Sequence, residues 1–324
     1  MLRTERARRA EQRLEPVTVA WVPARSPPLL SIATDPVGTA HARVHVAPER
    51  GVRRTYTVNL HRNPRANAGR SWIELPRRWP VGYHTIGVRG DRWSGRTRLF
   101  VAPRRLPGPP RRSWGLFAPT YALHDERSWG VGDLRTLGRF VEWAARQGAR
   151  TVGSLPLLAT HLGGKIDPSP YRPTSRAFWN ELCVDPTSPR EYRESREVQH
   201  RVRSPAFRRE LVRLRERSHI DPTATLRAKR AILEGMFRRF GSTPSRRRTR
   251  FRNALRRDPL LRAFARYRAA ESPRGRPRGG SWQYHAYVQW LVTEQLDRLS
   301  RRSRHLGVSL YLDLPVGVHP QGFD

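Results

Sequence analysis

The sequence is poor in cysteine. Cys183 is the only one, which excludes an internal disulfide and any metal site built from several cysteines. It lies in the apolar run 182–184 (LCV), where a thiol is more often an inert core side chain than a nucleophile. We therefore expect neither a metal ion nor any other cofactor.

Long apolar runs are also missing. Nothing in the chain approaches the roughly 20 consecutive apolar residues that a membrane-spanning helix needs. The first residues, 1–9 (MLRTERARR), lack the apolar stretch of a secretory signal peptide. The expectation is a soluble cytoplasmic protein with no membrane partner.

Acidic residues and lysine are scarce, whereas arginine is abundant. The chain has 63 Lys+Arg against 27 Asp+Glu, a net charge of +36, yet its only lysines are Lys165 and Lys229. Because arginine codons are GC-rich and lysine codons are not, this bias is typical of a GC-rich genome. The positive field still predicts non-specific binding to nucleic acid at low salt. The densest cluster, 246–250 (RRRTR), is predicted as a solvated loop, with a nucleic-acid contact as the alternative.

The first third of the chain has a β pattern. After a charged lead over 1–14, short alternating apolar runs recur between Pro, Gly and Asn clusters, which predicts a β-sandwich over 15–105. In the late strand of this domain we expect Tyr83 to be packed and His84 to point outward. The segment 106–112 (LPGPPRR) is predicted to be a stiff linker and a domain boundary.

A strand, a helix and a second strand follow the linker. The apolar segments 115–123 and 151–159 flank a helix whose apolar face carries Leu134, Leu137, Val141 and Ala144. Asp133 is placed to cap this helix and Gly148 to end it. The order predicts one βαβ unit and the start of a β/α barrel, in which the loops after the strands hold the active site.

Arginine-rich amphipathic helices fill the segment from about 187 to 280. Three apolar stripes predict them: Phe207, Leu211 and Leu214; Ile232, Met236 and Phe240; and Leu260, Phe264 and Tyr267. A linker at 273–280, a helix over 282–302 and a third buried strand over 307–318 come next, with Asp313 near the end of that strand. The predicted fold is thus β plus α/β. It consists of a β-sandwich and, over 113–324, the first part of a (β/α)8 TIM barrel with an Arg-rich helical insertion.

Four segments in this order resemble the 4-α-glucanotransferases (amylomaltase or disproportionating enzyme, glycoside hydrolase family 77), namely their N-terminal portion. They are 128–134 (SWGVGDL), 169–176 (SPYRPTSR) with Asn180 and Asp185, 287–296 (YVQWLVTEQL), and 313–318 (DLPVGV). The front domain, with 80–84 (PVGYH), is similar to the β-sandwich that precedes the barrel in many of these enzymes.

The resemblance implies transfer of α-1,4-glucan segments between maltooligosaccharides by a retaining mechanism with two carboxyl groups. It implies that Tyr171 supports a bound glucose by stacking and hydrogen bonding, that Ser169, Arg176 and Asn180 hold its loop, and that Asp313 shapes the floor of the pocket. Trp129 is a further candidate sugar contact, or a residue that only shapes the turn with Gly130.

Two departures from the family pattern matter. The segment 153–159 (GSLPLLA) carries leucines where relatives commonly have Asn-Pro and a histidine, so sugar contacts are not carried over to Leu155, Leu157 or Leu158. The family's nucleophile, acid/base and third acid lie downstream of the segment at 313–318, beyond Asp324. No catalytic residue is therefore assigned here, and we expect the 324-residue chain alone to be inactive and poorly soluble.

Simpler roles remain open for the other polar residues. Asp125 and Glu126 are adjacent and diverge in any regular structure, so solvation or an arginine partner is expected. His161 and Asp167 either face the cleft or are ordinary loop residues. For the whole chain, the alternatives are a non-catalytic glucan-binding module and an Arg-rich nucleic-acid-binding protein.

Overall fold

The computed structural model describes residues 14–23, 27–33, 41–49, 52–62, 70–90, 93–106, 108, 112–162, 166–167, 169–242, 244–271 and 282–324. The chain divides into two compact units, residues 1–109 and 110–324. This division falls inside the linker predicted at 106–112. The linker predicted at 273–280 and all but the last residue of the charged lead lie outside the described residues. No helix in the described ranges is long and apolar enough to cross a membrane.

The first unit contains two β-sheets. One has the strand order β1-β8-β7-β3-β4 and the other β2-β6-β5, and all neighbours are antiparallel except β1 and β8. Alternate side chains of both sheets form one core, including Leu30, Ile73 and Leu99. The predicted β-sandwich is therefore confirmed. Its strands are β1 (Val17–Val22), β2 (Leu29–Ala33), β3 (His41–Ala47), β4 (Arg54–Asn59), β5 (His61–Arg62), β6 (Arg70–Glu74), β7 (Gly82–Arg89) and β8 (Ser94–Pro103).

The predicted orientation of Tyr83 and His84 is wrong. His84 is 1% exposed, whereas Tyr83 is 61% exposed. Side chains alternate along a strand, and Ile86 and Val88 of β7 face the core, so His84 must face it too. The buried imidazole is hydrogen-bonded: its Nε2 lies 2.9 Å from the Pro80 carbonyl oxygen.

The second unit is built on a parallel sheet. Strands β9 (Gly115–Phe117), β10 (Thr151–Ser154) and β13 (Ser309–Leu312) lie in the order β13-β10-β9 and are parallel. Helix α1 (Leu134–Arg146) connects β9 to β10, which confirms the βαβ unit. The Asp133 carboxylate accepts hydrogen bonds from the backbone amides of Arg135 and Thr136, as expected of the cap. Gly148 follows the helix at a φ of 86°, a left-handed conformation that suits glycine.

Three of the predicted strands are shorter than expected. The first, predicted over 115–123, is strand only from Gly115 to Phe117. The segment 151–159 breaks at Pro156, and Leu158–Ala159 form a separate strand, β11, antiparallel to β12 (Ser175–Trp179). The predicted buried strand over 307–318 is strand only from Ser309 to Leu312. It forms an edge of the described sheet, with Tyr311 61% exposed, so it is not a buried strand.

Helices account for the predicted insertion. The structure has α2 (Arg190–Glu194), α3 (Arg196–Arg203), α4 (Pro205–Arg215), α5 (Pro222–Ser242), α6 (Arg246–Arg257) and α7 (Pro259–Glu271). The first two apolar stripes are buried as predicted, but in the third Leu261 replaces Leu260, which is half-exposed. The cluster 246–250 begins α6 and is not a loop, because the Ser245 hydroxyl caps a helix there.

The long helix α8 (Trp282–His305) is the centre of the second unit. Its predicted stripe is buried in the same core as α1, α5 and α7: Tyr284, Tyr287, Val288, Leu291, Leu296 and Leu299. The helix then leads into β13, so that Asp313 immediately follows the strand.

Candidate functional site

The loops that follow the three parallel strands meet at one edge of the sheet. The carboxyl ends of parallel strands lie at the same edge, which is where β/α folds place their ligands. The hydroxyl groups of Thr120, after β9, and Ser154, at the end of β10, are 2.7 Å apart and buried. The Asp313 amide, after β13, donates to the Ser154 carbonyl oxygen at 3.2 Å. Ser154 thus holds both neighbouring loops in place.

Tyr171 and Asp313 come together at this edge. The Tyr171 hydroxyl donates to Asp313 Oδ2 at 2.8 Å, although the residues are 142 positions apart. This bond raises the pKa of the Tyr171 hydroxyl above its ordinary value, because loss of the proton would place two negative oxygens side by side. The tyrosine is 47% exposed, so one face of its ring is open to a ligand.

A short turn places the Tyr171 ring. The Ser169 amide donates to Asp167 Oδ1 at 2.9 Å, and the Tyr171 amide donates to the Ser169 hydroxyl at 3.3 Å. Such side-chain bonds to the backbone two residues on stabilise tight turns. Ser169 therefore lies where a residue holding the tyrosine loop was predicted, and Asp167 belongs to the same turn.

Asn180 and Arg176 lie on the β11–β12 hairpin beside this turn. The Asn180 amide donates to the Leu157 carbonyl at 2.8 Å, and its side chain caps the following turn by accepting from the Leu182 amide. Arg176 donates to the Val316 carbonyl at 3.0 Å, in the loop after β13. The Asn180 side chain therefore stabilises the local turn, whereas Arg176 joins the hairpin to the loop after β13.

A cavity of about 250 Å³ opens beside the Tyr171 turn. It is enclosed by the loops after β9 and β10, the hairpin and the start of α5. Its lining is mostly apolar, with a few polar groups, an arrangement typical of small-ligand sites. The lining includes Thr120, Tyr121, Leu155, Leu157, Leu158, Asp167, Pro170, Asn180, Leu182 and Ile220.

Trp129 does not belong to this group. It is 4% exposed and packs edge-on against Phe207 of α4, with ring centroids 5.3 Å apart. A buried indole cannot stack on a sugar, so burial contradicts the sugar-facing platform and leaves the turn-shaping alternative. The neighbouring Gly130 has a φ of 80°, which the turn requires.

The buried carboxylates of the described residues already have partners. Asp125, partly buried, forms a two-bond pair with Arg135, which holds the pKa of this carboxyl below its ordinary range. An arginine partner was one of the two expectations for it, the other being solvation. The fully buried acids are equally committed: Asp133 caps α1, Asp185 accepts from Thr187, Glu181 pairs with Arg230 and Glu191 pairs with Arg247.

His161 stacks on another histidine. Its ring lies 4.3 Å from that of His319, nearly parallel, and its Nδ1 is 2.5 Å from Glu271 Oε1.

Cys183 is buried, and burial raises the pKa of its thiol to about 12, as expected of an inert core thiol. Among the residues that the structure describes, no group of three His, Cys, Asp or Glu side chains is placed to hold a metal ion.

Sequence reasoning missed two glutamines and a lysine that support the site. Gln289 of α8 exchanges two hydrogen bonds with the backbone of Trp179, at 2.9 and 2.7 Å. Gln295 does the same with the backbone of Asp185, at 2.9 Å for both bonds. Lys229 donates to the carbonyls of Leu182 and Val184. The sequence signal that could have identified them is a polar residue within an apolar helical stripe, because such a residue needs a buried hydrogen-bond partner.

Comparison with known protein families agrees with this geometry. A family model described as 4-alpha-glucanotransferase matches residues 118–283 and 276–324, more than half of the chain. The chain belongs to the 4-alpha-glucanotransferase family. A second model, the MalQ N-terminal beta sandwich domain, matches residues 13–103 of this family member.

Individual relatives carry the same description. The chain is 28% identical over 279 residues to a 4-alpha-glucanotransferase of Haemophilus influenzae, and 30% identical over 298 residues to that of Mycobacterium bovis. These alignments include 73% and 79% of this chain but 40% of each relative. The chain thus spans less than half the length of these relatives.

A solved structure shares the fold. The crystal structure of amylomaltase from Corynebacterium glutamicum superposes with a TM-score of 0.75 at 25% identity, covering 99% of this chain and 48% of that one. The similarity therefore extends over both units and is not confined to one sequence motif.

Proposed function

We propose that the second unit binds α-1,4-glucan at the edge formed by Tyr171 and Asp313, as part of a 4-α-glucanotransferase that transfers glucan segments between maltooligosaccharides. In this proposal the three parallel strands are the first part of a (β/α)8 barrel, interrupted by the helices α2 to α7. The observation that carries it is the hydrogen bond between Tyr171 and Asp313, at the carboxyl ends of the strands, in a member of this family.

The two side chains offer complementary contacts to a sugar. The Tyr171 ring is half-exposed and presents an apolar face to the C–H groups of a glucose unit. Its hydroxyl donates a hydrogen bond to Asp313 Oδ2. Asp313 Oδ1 has no hydrogen-bond partner in the described part of the chain. Oδ1 is thus free to accept a hydrogen bond from a sugar hydroxyl. Ser169 holds the Tyr171 loop through its hydroxyl, and Asn180 caps the turn that follows the hairpin. Arg176 bonds to the loop after β13.

The proposed reaction is a retaining transfer. Such a mechanism needs two carboxyl groups roughly 5 Å apart across the scissile bond, one as nucleophile and one as acid/base. The buried carboxylates described above are held by caps, hydroxyls or arginines, and Asp313 is engaged by Tyr171. We therefore propose that these 324 residues supply glucan contacts and not the catalytic pair.

Calorimetric titration with maltotriose and maltoheptaose tests the binding proposal. We expect saturable binding that weakens about fivefold in Tyr171→Phe, which keeps the ring but loses the hydrogen bond, worth about 1 kcal/mol, that fixes the ring and Asp313 for the ligand. Tyr171→Ala should weaken it further. Tyr83→Phe and Tyr83→Ala, at an exposed tyrosine of the first unit, are the matched controls and should bind like the parent chain. Absence of binding, or equal losses at positions 83 and 171, would contradict the proposal.

The catalytic part of the proposal has a separate test. Purified chain is incubated with maltotriose, and the products are analysed for glucose together with longer oligomers. We expect no turnover above the level of a heat-treated sample. Robust transfer by these 324 residues alone would show that a carboxylate pair is present among them and would refute this assignment.

A further inference from the structure

A second depression, of about 280 Å³, lies elsewhere in the second unit, with arginines around it. The loop after β9, helix α1, the end of α3 and helix α4 each contribute to it. Five guanidinium-bearing residues line it: Arg127, Arg135, Arg203, Arg208 and Arg215. None of its lining residues is shared with the cavity beside Tyr171.

These arginines are poorly neutralised. Arg135 is committed to Asp125, and Arg215 donates to the Ser128 carbonyl at 3.2 Å. Arg127, Arg203 and Arg208 form no ion pair with any carboxylate in the described ranges of the chain. The nearby acidic groups are Glu126, the one acidic residue of the lining, Asp125, which pairs with Arg135, and Asp185, which accepts from Thr187 of the lining. The Tyr192 hydroxyl interacts with Arg203. Positive charges gathered around one concavity repel each other, and a bound anion relieves that repulsion.

The lining has an apolar part as well. Trp129, Val202 and Leu211 form its wall between the arginines, and Trp129 and Leu211 belong to the hydrophobic core. Low-polarity walls strengthen electrostatic attraction inside a cleft. The planar guanidinium fork matches the oxygens of a phosphate group and binds them through paired, charge-assisted hydrogen bonds.

We propose that this depression binds a small phosphorylated anion, such as a diphosphate or a phosphorylated sugar. The small volume and the apolar wall favour a compact ligand with one apolar face over the extended backbone of a nucleic acid. Arg203 and Arg208 are the principal phosphate contacts because no carboxylate among the described residues pairs with them, and Arg127 contributes from the loop. The proposal does not depend on glucan binding at Tyr171.

Titration with pyrophosphate at 150 and 300 mM salt is the test. Two double variants remove the same charge from the same region: Arg203→Gln with Arg208→Gln inside the depression, and Arg209→Gln with Arg213→Gln on the exposed face of α4. We expect one saturable site in the parent chain, at least tenfold weaker binding in the first variant, and a change of less than twofold in the second. If the first double variant fails to fold, Arg127→Gln replaces it, since Arg127 lies in a loop. Its pyrophosphate binding should also be weaker than that of the parent chain.

The other outcomes are decisive as well. Equal weakening in both double variants would mean that pyrophosphate responds only to net charge and would overturn the proposal, as would absence of saturation. The parent chain and both double variants are also titrated with a 20-base-pair DNA duplex, in the presence and absence of pyrophosphate. If DNA displaces pyrophosphate and depends on Arg203 and Arg208 more than pyrophosphate does, the site belongs to a nucleic-acid backbone and the small-anion assignment is refuted.

Discussion

Lys229 is the residue whose identity is best explained by its surroundings. It is one of two lysines in a chain with 63 basic residues, and it is fully buried. Its ammonium donates to the carbonyls of Leu182 and Val184 at 2.5 and 2.8 Å and lies 3.9 Å from Asp133 Oδ2. Burial lowers its pKa, and the nearby Asp133 opposes this effect. A compact ammonium with three donors fits this space, whereas the larger planar guanidinium does not.

We predict that Lys229→Met destabilises the chain by about 2 to 4 kcal/mol, because two buried carbonyls lose their donor and the buried Asp133 carboxylate loses a nearby positive charge. The measurement is the free energy of unfolding in urea. Arg227→Met, an exposed position on the same helix, is the control and should change it by less than about 0.5 kcal/mol. Lys229→Arg should also destabilise, because its volume exceeds the site. Equal stability of the Met variants at 227 and 229 would contradict this account.

At the scale of elements, helix α6 shows what stabilises the segment 246–250, which was predicted as a loop. Arg247 donates to Glu294 of α8 through two bonds of 2.8 and 2.6 Å and to Glu191 of α2 at 2.6 Å. Its guanidinium also stacks on Trp290, 4.3 Å from the ring centroid. The local sequence shows only a run of arginines. Its helical state depends on a cap at Ser245 and on partners 47 and 56 positions away in sequence.

Helix α8 carries a buried histidine that makes its stability depend on pH. Burial lowers the pKa of His285 from its ordinary value of 6.5 to about 4. Between these values the unfolded chain takes up a proton that the folded chain does not, so folding loses stability as the pH falls through this window. A shift of this size corresponds to about 3 kcal/mol in all.

We predict that the free energy of unfolding falls between pH 7.5 and pH 5 by about 2 kcal/mol more in the parent chain than in His285→Leu. Urea titrations at several pH values measure this difference. His305→Leu, at the exposed end of the same helix, should retain the slope of the parent chain. If His285→Leu and the parent had parallel pH profiles, the histidine would not be the group responsible.

For the whole molecule, the net charge of +36 predicts an electrostatic association with DNA that carries no sequence preference. Each phosphate contact releases counterions, so the affinity should fall by at least tenfold between 50 and 200 mM salt. Fluorescence anisotropy with two unrelated duplexes measures this. Maltoheptaose is uncharged, and its binding should be unchanged over the same range. A salt-insensitive or sequence-selective DNA interaction would contradict this interpretation of the charge.

Local patterns in the sequence were sufficient for much of the fold. Period-two alternation predicted the sandwich, and the apolar stripe with Asp133 and Gly148 predicted α1 and its ends. These features depend on contacts between residues close in sequence. Tyr83 and His84 were misassigned because the register of a strand depends on which face meets the core. The third strand was predicted too long for a similar reason, since its neighbours determine where pairing stops.

The candidate site was only partly predictable. Tyr171, Ser169 and Asp313 were recognisable from family-like segments, and the structure brings them to one edge. The sequence left two roles open for Trp129, a sugar platform or a turn-shaping residue, because it does not reveal that Phe207, far along the chain, covers the indole. The sequence did not predict the partners of Gln289, Gln295 and Lys229. These partners are backbone groups, which any residue type can supply.

By itself, the sequence determined most of the helices and strands, the excess of positive charge and the resemblance to the 4-alpha-glucanotransferase family. Each of these follows from residue type and short spacing. Only the tertiary structure decided which side chains share a cavity, which carboxylates are already paired and which arginines lack a partner. The physical reason is that contacts such as Tyr171 with Asp313 join positions 142 residues apart, whose distance depends on the packing of every element between them.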